Sequence, residues 1–223
     1  MTFRYVHTAA TETPSKQTAT GRKGRQKDAE AAENAGNAKS AERSWRQPDF
    51  LSRQASGKTY GSAMHAALQY IRYEDCGSPE AVSREIQRLG KGKFLTEEQG
   101  SLVRCDQLAR FFQSDIGKKL RSGTRYLREF KFSILDAGRH YGEGLEDEQV
   151  LLQGVVDCAL LEEDGITILD FKTDRVTEEA VAAAADRYRL QVETYADALT
   201  RIYEMPVKAR YLYFFSIDRF VEV

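Results

Sequence analysis

From Gly61 onward, apolar residues recur at helical spacing among polar ones. In GSAMHAALQYI, Met64, Leu68 and Ile71 recur every three or four residues, as on one face of an α-helix. SPEAVSREIQRLGKG begins with Ser-Pro and an acidic first turn and ends at glycine, which indicates a second helix. LTEEQGSLVRCDQLARFFQSDIGKKL predicts two further amphipathic helices. The N-terminal half is therefore predicted to be helical.

The pattern changes to strand-like alternation from Tyr126 onward. YLREFKFSIL and QVLLQGVVDCALLEEDGITILDFKT predict three consecutive strands, with EEDG as the turn of a hairpin. TEEAVAAAADRYRLQVETYADALTRIY predicts a long helix, and VKARYLYFFSI predicts a strand buried on both faces. Because a long helix joins the hairpin to the last strand, we expect an α/β fold in which helices flank a mixed β-sheet.

Residues 1–48 lack this patterning and are rich in small and polar residues, so we predict a flexible polar linker followed by a folded domain over 49–223. The linker carries nine Lys and Arg against five Asp and Glu, a net charge of +4, whereas the remainder carries 24 against 29, a net charge of −5. A basic tether could hold nucleic acid loosely, although a solvated connector is the simpler interpretation.

Composition excludes several classes of protein. The chain is 41% hydrophobic and 30% charged, and no apolar run approaches the roughly 20 residues of a membrane-spanning helix. The N-terminus lacks the apolar stretch of a secretory signal, so we expect a cytoplasmic protein without membrane contact. Cys76, Cys105 and Cys158 have no CxxC spacing, which argues against a disulfide framework, a zinc site or an iron–sulfur cluster. No G-x-x-x-x-G-K-[ST] loop occurs, so we expect no ATP site in this chain.

The candidate chemistry lies on two neighbouring predicted strands. Asp157 falls on one, and Asp170 and Lys172 share a face of the next while Phe171 points toward the core. Burying such charges costs on the order of several kcal/mol each unless a partner, such as a divalent cation, compensates them. Mg²⁺ or Mn²⁺ on these carboxylates would activate water and polarise a phosphate, while Lys172 would orient the water or neutralise negative charge. The alternative is a salt-bridged pair at a strand end.

The surrounding motifs resemble the PD-(D/E)XK nuclease superfamily, and most closely its RecB-like branch. Four motifs of that branch, G-x-x-x-H, G-x-x-D, D-[YF]-K-T and Q-x-x-x-Y, occur in its order at Gly61 to His65, Gly154 to Asp157, Asp170 to Thr173 and Gln191 to Tyr195. Over residues 61–223 the text is also similar to the C-terminal nuclease domain of the A subunit of AddAB-type ATP-dependent helicase–nucleases.

The resemblance implies a restriction-endonuclease-like fold and specific residue roles. His65, Asp157 and Asp170 would bind the metal, and Asp157, Asp170 and Lys172 would form the catalytic set. The implied activity is a Mg²⁺-dependent deoxyribonuclease, an exonuclease acting in double-strand-break end processing and recombinational repair. Its implied partners are DNA, a helicase domain and a second helicase–nuclease subunit.

Gln191, Tyr195 and Glu129 are candidates for auxiliary roles in the site. Gln191 and Tyr195 lie one helical turn apart, so they would contact DNA or buttress the site, although an ordinary amphipathic helix also explains them. Glu129 is a possible further site carboxylate, although a lone glutamate at a strand start is usually solvated.

Arg175, Arg187 and Tyr188 follow the lysine strand and are candidates for contacts with phosphates and bases. A solvated, charged helix face is the competing interpretation. Two other functions stay open for the whole chain, namely a non-catalytic DNA-clamping or docking module on a nuclease scaffold and a stand-alone restriction-type nuclease.

Overall fold

The computed structural model describes residues 15–19 and 60–223, and every structural statement below concerns these residues. The chain divides into two compact units. Unit 1 comprises residues 1–40 and 131–155, and unit 2 comprises residues 41–130 and 156–223. Most of the predicted linker, including its boundary at residue 48, lies outside the described residues and stays a prediction.

From residue 60 onward, five helices of unit 2 precede its first described strand: α1 (Tyr60–Tyr70), α2 (Pro79–Lys91), α3 (Glu97–Leu102), α4 (Cys105–Gln113) and α5 (Asp115–Arg121). A short 3₁₀ helix, Tyr73–Asp75, lies between α1 and α2. Side-chain caps form at the N-termini of several of these helices, where the sequence places Ser or Thr. Ser78 Oγ accepts a hydrogen bond from the Ala81 N–H at 3.3 Å, and Thr96 and Gln99 form a capping box.

The prediction of two helices over LTEEQGSLVRCDQLARFFQSDIGKKL is wrong, because the segment forms three, namely α3, α4 and α5. Ser114 adopts an extended backbone with ψ of 165°, and its Oγ accepts a hydrogen bond from the Gly117 N–H at 3.1 Å. A methyl group at Gly117 would lie 2.1 Å from the Phe111 carbonyl oxygen, so the tight turn requires glycine there. One serine therefore ends α4 and caps α5.

The strands are β1 (Lys16–Thr18), β2 (Tyr126–Ala137), β3 (Gln149–Glu162), β4 (Gly165–Lys172), β5 (Val207–Phe214) and β6 (Arg219–Glu222), and the long helix α6 (Val181–Tyr203) joins β4 to β5. A second 3₁₀ helix, Gly138–His140, follows β2. They form a mixed six-stranded sheet, in which β3 is antiparallel to β4, β4 parallel to β5 and β5 antiparallel to β6. The predicted mixed sheet with flanking helices is confirmed.

In unit 1, β1 lies within the segment predicted as linker, so for Lys16–Thr18 that prediction is wrong. The strand pairs in parallel with β3, from Lys16 opposite Leu151 to Thr18 opposite Gln153. The glycine of the G-x-x-D motif also has a packing role here. A methyl group at Gly154 would lie 2.5 Å from the Phe132 ring.

A group of aromatic rings packs together within the core of unit 2. Phe171, on β4, is buried as predicted, and the Phe111 ring meets it edge-on at 5.1 Å between centroids. Strand β5 is fully buried only from Leu212 onward, so the prediction of burial on both faces is wrong for its first half, where Lys208 is exposed and pairs with Glu162. Among the described helices, none combines the length and the apolar character that crossing a membrane requires.

Candidate active site

The two motif aspartates lie where strands β3 and β4 part. Their antiparallel pairing runs from Glu162 opposite Gly165 to Cys158 opposite Leu169. Just beyond this last pair, the Phe171 N–H donates a hydrogen bond to Asp157 Oδ2 at 2.9 Å instead of to a strand carbonyl. Asp157 and Asp170 are only 5% and 1% exposed. The fork therefore holds two carboxylates in a nearly dry position.

Helix α1 brings His65 to this fork, and strand β2 brings Glu129. The His65 Nδ1 atom lies 3.6 Å from Asp157 Oδ2 and 3.9 Å from Glu129 Oε1. One potential ligand atom from each of His65, Glu129 and Asp157 lies within 4.8 Å of the others. Ligand atoms around Mg²⁺ with bonds of about 2.1 Å lie about 3–4 Å apart, so a small contraction of this cluster would fit such an ion.

The backbone of Glu129 has a conformation that is rare in strands. Its φ is 46°, in the left-handed region, although it lies inside β2. Non-glycine residues held there cost on the order of 1–3 kcal/mol and concentrate at functional sites. No sequence pattern signals this conformation. The structure thus brings Glu129, which the sequence marked only as a candidate for an auxiliary role, into the cluster with His65 and Asp157.

A close contact between α1 and the end of β4 fixes the position of His65. A methyl group at Gly61 would lie 2.8 Å from Thr173 Oγ1, nearer than van der Waals contact allows. Gly61 and His65 are separated by one helical turn and lie on the same face of α1. The glycine of the G-x-x-x-H motif therefore sets the approach of the histidine to the fork.

Asp170 and Lys172 form an ion pair on one face of β4, as their spacing predicts. Gln191, on α6, bridges this pair, because its Nε2 lies 3.4 Å from Asp170 Oδ1 and its Oε1 lies 3.5 Å from Lys172 Nζ. The same Nε2 donates to the Tyr195 hydroxyl at 2.6 Å. Gln191 and Tyr195 are both buried, which favours a supporting role over contact with DNA.

Burial dominates the electrostatics of Asp170. Loss of hydration raises the pKa of its carboxyl above the usual value, the Lys172 ammonium opposes this rise, and the Asp157 carboxylate adds to it. Asp170 lies outside the His65, Glu129 and Asp157 cluster. Two neighbouring buried carboxylates with one ammonium leave a site that a cation would stabilise.

Tyr188, also on α6, contacts the catalytic lysine candidate. The Lys172 Nζ atom lies 3.7 Å from the centre of the Tyr188 ring, and the Tyr188 hydroxyl donates to Asp174. The sequence suggested only a stacking surface for bases, because residues 16 positions apart give no local sign of a contact. Arg175 and Arg187 are exposed, and within the described residues no hydrogen bond or ion pair joins either to the cluster.

Comparison with known proteins agrees with these motifs. A model of the PD-(D/E)XK nuclease superfamily matches residues 37–221. The A subunit of the ATP-dependent helicase/nuclease of Clostridium novyi (strain NT) is 33% identical over 185 residues, 80% of this chain and 15% of the relative. The protein of the same name from Bacillus mycoides (strain KBAB4) is 32% identical over 234 aligned positions, 99% of this chain and 19% of the relative. The chain thus spans less than a fifth of these relatives.

Proposed function

Because the chain belongs to the PD-(D/E)XK nuclease superfamily, we propose that it hydrolyses phosphodiester bonds of DNA in a divalent-metal-dependent reaction. One observation carries the proposal: the cluster of His65, Glu129 and Asp157 adjoins the buried Asp170–Lys172 pair. A structural salt bridge at a strand end requires no histidine and no strained glutamate beside it.

We assign the metal site to His65, Glu129 and Asp157, with Asp170 as a further candidate ligand. Carboxylate oxygens suit Mg²⁺ and Mn²⁺, and the bound ion would supply an activated water and polarise the phosphate. The second carboxylate at the fork strengthens the local negative potential that attracts the cation.

Lys172 is the residue that would neutralise charge on the scissile phosphate or orient the attacking water. Asp170, Gln191 and Tyr188 surround its ammonium group and hold it in one place. A donor fixed before the reaction needs little reorganisation when negative charge develops, and one such donor contributes about 10²–10³-fold to a rate.

The relatives, which are named as A subunits of ATP-dependent helicase/nucleases, support a proposal about partners. We infer that the domain cuts as an exonuclease on DNA delivered by a helicase motor, with a second protein subunit beside it. In this role it would trim DNA ends during double-strand-break repair by recombination.

Cleavage of end-labelled single- and double-stranded DNA tests the proposed chemistry. We expect the chain to cut with Mg²⁺ or Mn²⁺ and to stop when a chelator is added. Lys172→Met and Asp170→Asn should each lower the rate at least about 100-fold. Lys118→Met changes an exposed residue of α5 outside the site, and this variant should cut like the original chain.

Retained cleavage in both site variants would refute the assignment. Metal-independent binding of DNA without any cleavage would instead identify a clamping module. Circular dichroism of each variant shows whether a lost activity reflects a lost fold.

A further inference from the structure

A groove of about 860 Å³ opens in unit 2 beside the end of β4. Its walls come from the start of α1, the α3–α4 junction, the residues after β4 and the turn after β5. They include Tyr60, Arg104, Gln107, Thr173, Arg175 and Ser216, and we call this feature the arginine groove.

The arginine groove is continuous along the chain with the candidate active site. Thr173 directly follows Lys172, and Tyr60 directly precedes Gly61, whose helix carries His65. The groove is thus lined by residues that belong to, or directly follow, the elements that carry His65 and Lys172.

The arginines of the groove contrast with the charge of the surrounding chain. Residues 60–223 carry 22 Lys and Arg against 28 Asp and Glu, a net charge of −6. Arg104 and Arg175 are exposed, and neither forms an ion pair within the described residues. The one acidic residue on the wall, Asp106, is paired with Arg110 at 3.1 Å. The groove is thus a local positive site on a chain that is acidic over residues 60–223.

Neighbouring contacts fix the polar and aromatic side chains of the groove. The Tyr60 hydroxyl donates to Gln107 Oε1 at 2.5 Å, and Gln107 Nε2 donates to the Phe215 carbonyl at 3.1 Å. The loop that carries Arg175 is held because the Val176 N–H donates to Ser216 Oγ at 3.2 Å. Fixed aromatic rings and forked guanidinium groups suit stacked bases and phosphates, respectively.

We propose that the arginine groove binds a single strand of DNA and leads it to the fork, with Arg104 and Arg175 on phosphates and Tyr60 stacked on a base. This inference rests on the proposed function and adds the strand path to it. A single strand is the occupant because stacking on Tyr60 needs an unpaired base, which a duplex does not offer.

Fluorescence anisotropy with labelled 12-nucleotide oligo-dT, in Ca²⁺ and over a range of NaCl concentrations, tests the proposal. Arg104→Gln combined with Arg175→Gln should weaken binding at least about tenfold, because two charged phosphate contacts are lost. Each phosphate contact adds about 0.7 to the steepness of log affinity against log salt, so the loss of two contacts should lower that steepness by about 1.4. Arg84→Gln, an exposed arginine on α2, is the matched control and should bind like the original chain.

Tyr60→Leu tests the stacking contact separately. It should weaken binding of oligo-dT several-fold and leave binding of an abasic 12-mer unchanged, since the abasic strand has no base to stack. Thermal unfolding of each variant serves as the measure of folding.

The groove assignment is overturned if the double variant keeps the original affinity and salt slope, if Arg84→Gln loses as much, or if a 12-base-pair duplex binds more tightly than oligo-dT. Hydrolysis of bis(p-nitrophenyl) phosphate by the original chain reports on the proposed chemistry alone. If the chain does not hydrolyse this compound while its affinity for oligo-dT still depends on Arg104 and Arg175, the nuclease proposal is refuted and the groove proposal stands.

Discussion

The contact between Gly61 and Thr173 makes the substitution Gly61→Ala a test of how α1 positions its histidine. The new methyl group would lie 2.8 Å from Thr173 Oγ1, so relief to an ordinary contact of about 3.4 Å requires a shift of about 0.6 Å. Overpacking of this kind costs about 1–3 kcal/mol. The higher helix propensity of alanine relative to glycine offsets up to about 1 kcal/mol of this cost.

The matched control is Gly90→Ala on α2, where a methyl group meets nothing within 4 Å. Because both variants share the gain in helix propensity, their difference isolates the contact with Thr173. We expect the free energy of unfolding of Gly61→Ala to fall about 1–3 kcal/mol below that of Gly90→Ala. For a domain of this size the difference corresponds to roughly 2–12 °C in Tm.

Metal binding and the reaction rate should change together with the stability. A shift of α1 displaces His65, and misplacement by about 1 Å at a site can lower a rate about 100-fold. Isothermal titration with Mn²⁺ should therefore show weaker binding by Gly61→Ala and unchanged binding by Gly90→Ala. Thr173→Ala removes Oγ1 and leaves the next atom 3.8 Å away, so it should restore both properties in the double variant. Equal stability of the two alanine variants, or no rescue by Thr173→Ala, would refute this reasoning.

Three further substitutions test other parts of the site and its support. Glu129→Gln should weaken Mn²⁺ binding in isothermal titration by at least about 10–100-fold, the loss typical of an outer-shell partner, with cooperative unfolding retained; unchanged affinity would remove Glu129 from the ligand set. Tyr188→Leu removes the ring under Lys172 and should lower kcat about 2–30-fold, whereas Tyr188→Phe keeps the ring and should keep kcat; equal losses in both would point to the hydroxyl instead. Phe111→Ala empties a fully buried position that contacts Phe171 and should lower the free energy of unfolding by about 3–5 kcal/mol in urea denaturation, and a loss below about 1 kcal/mol would contradict the packing.

The long, strongly patterned segments of the fold were predictable, and the short ones were not. The periods of α1, α2, α6 and β4 are visible in the sequence, because each buries one continuous face or both. Strand β1 has three residues and β6 four, and their stability comes from pairing with β3 and β5 rather than from local pattern. The break at Ser114 was hidden because helical periodicity continues on both sides of it.

In the site, the sequence motifs located the residues but not their mutual contacts. The order of His65, Asp157, Asp170 and Lys172 and the shared face of the last two follow from sequence, whereas the bridging of that pair by Gln191 depends on how α6 packs against β4. The importance of Glu129 depends on a backbone angle that propensity does not encode. The metal and DNA roles of these residues stay predictions.

The left-handed backbone of Glu129 also bears on how this chain would drift when selection is relaxed. Glycine adopts that conformation without the steric penalty, so Glu129→Gly would relieve strain in β2 while it removes the carboxylate from the cluster. Folding and cutting therefore favour different residues at one position. In a lineage freed from the need to cut DNA, glycine would be tolerated there, and an acidic residue that persists would record continued selection for the reaction.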